Sequence, residues 1–165
     1  MSTVYAGSLG QWLSFNFDER YKNPCSYGAA LYLGEEMVID LTIPSNLTSL
    51  GKYAFCGCTS LESVTIPGNV ITIGNGAFQG CSKLKSALLR EGVSSIEYEA
   101  FNGCRDLESV YLPTTLTFIE GGVFRDCPVL TTVYYVGSAG QWSMIENYDD
   151  SSPFAEAQKV FNYIY

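Results

Sequence analysis

The residues of this 165-residue chain lay out a solenoid of 23-residue coils, with short parallel β-strands, tight turns and short helical or 3₁₀ segments. Periodicity carries that reading. Phe55, Phe78, Phe101 and Phe124 recur every 23 residues, and Cys58, Cys81, Cys104 and Cys127 each follow three positions later. Leu61, Leu84, Leu107 and Leu130 keep the same step, as do Ile43, Ile66, Leu89, Leu112 and Tyr135. A unit this short cannot close a core alone, so stacking of neighbours is what removes its apolar positions from water.

Each part of the unit has a local reason. In Leu61-Glu62-Ser63-Val64-Thr65-Ile66-Pro67 the β-branched Val64 and Ile66 lie two apart, which suits a short strand with alternate residues facing in. Pro67 ends it, because a ladder donor is lost there. Val70-Ile71-Thr72-Ile73 reads as a second extended piece, and Gly74 permits the corner after it. Ala77 and Phe78 then sit on a tight helical or 3₁₀ turn. Gly57, Gly80 and Gly103, with Asp126 in the last coil, mark a position that needs positive φ. Stacking at ~4.8 Å turns identical residues into columns of Phe, Leu and Cys.

Outside the regular coils, Tyr5-Ala6-Gly7-Ser8-Leu9-Gly10-Gln11-Trp12 returns as Tyr135-Val136-Gly137-Ser138-Ala139-Gly140-Gln141-Trp142, and Pro24 is matched by Pro153. This is a longer, irregular coil with a short Trp-bearing helix, used near residues 4–33 and again near 134–165, with regular coils over about 38–133. The whole chain is expected to be one solenoid domain. Tyr5 is expected to end a strand of an upstream coil, and the ends read as those of a piece of a larger protein.

Composition narrows the function. The net charge of -8, from 17 acidic and 9 basic residues, leaves no basic patch for phosphates, so nucleic acid is not an expected partner. No apolar run reaches the ~18 residues of a membrane span, and Met1-Ser2-Thr3 lacks the build of a signal peptide. The protein is then either soluble inside the cell or exported by a signal outside this chain.

Chemistry has few footholds. There is no histidine, which removes Ser-His-Asp and Cys-His arrangements and leaves the Cys residues without a base. In-register cysteines hold Cβ atoms farther apart than the ~3.8 Å a disulfide prefers, so a free, buried thiol ladder is expected, with Cys25 and Cys56 lying off it. Cys56-Gly57-Cys58 is not the C-x-x-C of zinc sites. No cofactor, metal or catalytic residue is assigned. Glu97 and Glu99, alternating on a strand-like segment, can present two carboxylates, but a solvated coil edge accounts for them better. Asp149-Asp150 offers oxygens for calcium, with a loop turn as the simpler role. Asn46-Leu47-Thr48 has the glycosylation pattern, which matters only in a secreted eukaryotic protein.

The binding candidates come from the outward face of the strands. Thr42, Thr65, Leu88, Tyr111 and Tyr134 form one outward column, and Ser86, Ser109 and Thr132 lie in the neighbouring one. Leu88, Tyr111, Tyr134, Ser109 and Thr132 are the expected binding residues, since an aromatic stripe suits protein or sugar recognition. Cross-strand tyrosine stacking that only stabilises the sheet is the competing account. Phe118 and Ile71 are expected to extend the apolar surface on the second strand.

The pattern I-P-x-x-V-x-x-I-G-x-x-A-F-x-G-C-x-x-L resembles the leucine-rich repeat of BspA-like proteins, and the Y-x-G-x-x-x-Q-W segment is similar to units seen among them. Leu88-Leu89-Arg90 at a strand end, Glu97 and Glu120 in place of Gly, and Val123 in place of Ala are local departures. The resemblance implies a curved right-handed leucine-rich-repeat solenoid without catalytic residues. It also implies a cell-surface or secreted protein that adheres to a host protein or glycan, extracellular matrix included. A passive spacer or self-associating segment is the alternative function.

Overall fold

Each regular coil contributes one strand to each of two sheets. The computed structural model describes residues 2–15, 17–147, 149 and 152–164. Six parallel strands, Asp40–Thr42, Ser63–Ile66, Ser86–Leu89, Ser109–Leu112, Thr132–Tyr135 and Gln158–Phe161, lie side by side in chain order. A second sheet stacks Ser49–Leu50, Thr72–Ile73, Ser95–Ile96, Phe118–Ile119 and Glu146–Asn147. Register follows the repeat, so Ser63 pairs with Ser86, Ser86 with Ser109 and Ser109 with Thr132. Val64 and Ile66 are buried while Ser63 and Thr65 stay half-exposed, as alternation requires.

The second strand is shorter than residues 70–73 suggest. Val70 donates its amide to Pro67 within a turn, and the strand proper is Thr72–Ile73, with Ile71 bonded to Thr48 and Ser94 of the neighbouring coils just ahead of it. The turn that follows divides its amides between two jobs. Ala77, Gln79 and Cys81 bond back to Gly74, Gly76 and Phe78, as in a 3₁₀ turn, whereas Gly76, Phe78 and Gly80 donate to Tyr98, Ala100 and Asn102 of the next coil. Alternate use of amides keeps the segment from becoming a continuous helix and ties the coils together. Gly57, Gly80, Gly103 and Asp126 do take positive φ, at 72°, 73°, 73° and 57°.

Between the sheets and the turns runs the core. Phe55, Phe78, Phe101 and Phe124 stack nearly parallel with centroids 5.5, 5.2 and 5.7 Å apart. Trp12 continues the column at one end and Phe154 at the other. The six cysteines are buried as free thiols. Cys81, Cys104 and Cys127 donate to the carbonyls of Phe55, Phe78 and Phe101 at 3.1, 3.3 and 3.2 Å. Burial holds the thiols of Cys58, Cys81 and Cys104 well above their ordinary pKa.

Both Trp-bearing segments follow one plan. Tyr5 lies in the strand Ser2–Ala6 and Tyr135 ends Thr132–Tyr135; the helices after them, Leu9–Ser14 and Ala139–Trp142, are N-capped by Ser8 and Ser138. Ser2–Ala6 pairs in parallel with Ala29–Leu33, which turns through Gly34 into the antiparallel Glu36–Met37. That hairpin separates a three-stranded sheet from the six-stranded one.

Candidate binding face

The outward residues of the six-stranded sheet form two columns. Thr42, Thr65, Leu88, Tyr111, Tyr134 and Val160 pair in succession along one. Asp40, Ser63, Ser86, Ser109, Thr132 and Gln158 line the other, with Ser63 Oγ donating to Asp40 at 2.6 Å. Leu88, Tyr111, Tyr134, Ser109 and Thr132 are thus neighbours on one surface. A hydroxyl-bearing column runs beside a column that changes from threonine to aromatic.

Tyr111 and Tyr134 stack with centroids 4.6 Å apart and planes 6° from parallel. They do not form a freely exposed stripe. Tyr163, which the sequence pattern did not single out, tilts over both rings at 5.4 and 4.7 Å. Asn162 takes a left-handed φ of 55° and donates to the Gly137 carbonyl, and Tyr163 donates its amide to the Tyr135 carbonyl at 3.2 Å. These bonds reverse the chain just past the strand and set Tyr163 across the pair. An Asn directly after the aligned strand is the available signal, since Asn tolerates that conformation. All three rings remain half-exposed.

Other sequence expectations are refined or corrected. Phe118 pairs with Ser95 and Glu146 in the second sheet and Ile71 lies exposed just ahead of Thr72–Ile73, so the apolar surface they add is on the second sheet, apart from the tyrosines. Glu97 and Glu99 do not alternate on a strand, since Ser95–Ile96 ends before them and Glu99 has a φ of 54°. They brace coils instead. Glu97 accepts the Asn75 amide, Glu120 accepts the Tyr98 amide in the same way, and Glu99 accepts from Gln79 and pairs with Arg125. Asp149 is buried and accepts the Phe124 amide, so this carboxylate serves the fold; Asp150 lies outside the described residues. Among the described residues no three His, Cys, Asp or Glu side chains converge to hold a metal, and no helix is long and apolar enough to cross a membrane.

Comparison with known proteins agrees with this architecture. The family described as BspA type leucine rich repeat region matches residues 30–144 in six copies. A leucine-rich cell surface protein from Faecalibacterium prausnitzii A2-165 is similar in structure, with 30% identity and a TM-score of 0.51, over 68% of this chain and 35% of that one. The chain therefore spans about a third of that protein's length. A Treponema pallidum leucine-rich-repeat protein aligns at 24% identity and a TM-score of 0.42, over 76% of this chain and 70% of the other. One from Bacteroides ovatus ATCC 8483 aligns at 21% and 0.48, over 75% and 42%. The sequence has no significant match among curated proteins. On the family match and the coil architecture behind it, the chain belongs to the BspA-type leucine-rich-repeat family.

Proposed function

We propose that the chain is a recognition module of a cell-surface or secreted protein, and that Leu88, Tyr111, Tyr134, Ser109 and Thr132, joined by Tyr163, receive a host protein or glycan. The observation that carries this reading is the three-tyrosine cluster beside the hydroxyl column. Stacked rings on paired strands are rigid, so little side-chain entropy is lost when a partner covers them, and each ring offers an apolar body with a hydroxyl tip. Support for the location comes from the Faecalibacterium protein, which is described as a cell surface protein.

A binding screen against extracellular-matrix proteins and a glycan array tests it. Saturable binding that a Tyr111→Ala, Tyr134→Ala variant loses, while keeping the wild-type circular dichroism spectrum, is the expected result. Binding left unchanged in the folded variant moves recognition off this face. No binding by either protein favours a spacer.

A further inference from the structure

A second candidate site lies on the first Trp-bearing segment. The 3₁₀ turn Arg20–Lys22 and the turns after it frame a cleft of about 330 Å³ lined by Arg20, Tyr21, Ser26 and Tyr27. That volume falls at the lower end of the roughly 300–1,000 Å³ of small-ligand sites, enough for one or two sugar rings. Ser26 is only 6% exposed, yet its hydroxyl has no hydrogen-bond partner among the described residues. Buried polar groups are nearly always paired, so this hydroxyl is out of keeping with a purely structural role. Tyr27 and Tyr21 lie at the opposite extreme, 86% and 61% exposed.

The segment that carries these residues is held firmly. Asn23, fully buried, accepts the Cys25 amide at 2.7 Å and donates to the carbonyls of Tyr53 and Ala54. Ser26 and Gly28 donate their amides to Asn23 and Cys25. The rings are therefore displayed on a preformed platform. The nearby carboxylates Asp18 and Glu19 pair with Lys22, which leaves the Arg20 guanidinium beside the Cys56 thiol with no carboxylate partner among the described residues.

An internal comparison shows that these side chains are not among what the two Trp-bearing segments share; the second has the short helix Ser152–Glu156 where the first has turns. Aligned on Pro24 and Pro153, the second Trp-bearing segment has Ala155 where Ser26 stands and Glu156 where Tyr27 stands. It still builds a Ser-capped helix and a strand in parallel register with the preceding coil. At these aligned positions the serine hydroxyl and the tyrosine ring belong to the first segment alone.

We infer that this cleft binds a carboxylate-bearing sugar, with Arg20 on the carboxylate, Tyr21 and Tyr27 against the ring and Ser26 on a ring hydroxyl. A guanidinium holds a carboxylate through two parallel hydrogen bonds. Tyrosine faces cover the apolar side of a pyranose, and a serine hydroxyl both donates to and accepts from a sugar hydroxyl. The four lining residues include no strand that could pair with a peptide backbone, so a sugar fits them better than an acidic peptide. This site is separate from the tyrosine cluster on the sheet and does not depend on it.

The test is an NMR titration of the purified chain with 3′-sialyllactose and a glucuronic-acid disaccharide, with lactose and a triglutamate peptide as comparisons. Both acidic sugars are expected to bind at least tenfold tighter than lactose or triglutamate, and Arg20→Gln to remove that preference. Tyr27→Ala should weaken binding without changing Tm, because the side chain is exposed. Ser26→Ala is expected to lose about three- to tenfold in affinity while Tm stays level or rises, since an unpaired buried hydroxyl is removed. Tyr111→Ala with Tyr134→Ala should leave this binding intact, which separates it from recognition on the sheet face. No binding of either acidic sugar, equal binding of lactose or of triglutamate, or loss in the sheet-face variant would overturn the inference.

Discussion

The Asp149 carboxylate accepts the Phe124 amide at 2.7 Å, a place that a main-chain carbonyl holds in each earlier coil. Phe55 donates to Ala77, Phe78 to Ala100 and Phe101 to Val123. At the other end of the same ladder, Trp12 Nε1 and Asn23 Nδ2 donate to the Ala54 carbonyl at 2.8 and 3.2 Å. Side chains thus complete the inter-coil ladder at both ends, where no regular coil supplies the next backbone group. Buried amides and carbonyls left without partners are costly, which explains why polar side chains are buried there.

Asp149→Ala leaves the Phe124 amide buried and unpaired, and is expected to destabilise the protein by about 1–3 kcal/mol in urea unfolding. Asp149→Asn keeps an acceptor oxygen and should lose less. Hydrogen exchange at the Phe124 amide should accelerate in the alanine variant more than at Phe78. Equal acceleration at both would mean that the carboxylate stabilises the array in some other way.

Asn23→Ala removes three hydrogen bonds at a fully buried site and leaves the Cys25 amide without its acceptor. Its cost should exceed that of Trp12→Phe, which gives up the single indole bond, worth about 1 kcal/mol, but keeps a ring beside Phe55. Urea midpoints of the two variants compare them. The reverse order would make ring volume, rather than bonding, the dominant contribution at this end.

The Phe column should be most sensitive near its middle. Phe101 is fully buried and stacked on both sides, so Phe101→Ala opens a cavity expected to cost about 3–5 kcal/mol, whereas Phe101→Leu should cost clearly less. Thermal unfolding followed by circular dichroism measures both. A loss below 1 kcal/mol for the alanine variant would show that the neighbouring coils collapse into the gap.

The thiol ladder predicts a pH dependence of stability. Burial raises the folded-state pKa of Cys58, Cys81 and Cys104, so above the unfolded thiol pKa of about 8.5 the unfolded chain releases protons that the folded one keeps. Their contribution is complete below that pH and is lost as pH rises towards the raised folded values. Unfolding midpoints should therefore fall between pH 8.5 and 10, less steeply in a Cys81→Ala, Cys104→Ala variant. In parallel, a thiol reagent at pH 8 should leave these three unmodified in the native state and reach all six cysteines in denaturant. Rapid native labelling of Cys81 or Cys104 would contradict their burial.

What repeats was legible from residues alone. The 23-residue step, the inward alternation of Val64 and Ile66, the glycine position filled by Asp126 and the adjacency of Leu88, Tyr111 and Tyr134 all follow from local geometry used once per coil. A periodic structure prints its contacts as a periodic sequence. What happens once was decided by the tertiary structure. Tyr163 covers the tyrosine pair because Asn162 reverses the chain, and Asp149 and Asn23 finish a ladder whose partners are distant in sequence. Each depends on long-range contacts made at one end of the array, and a contact made only once has no period to betray it.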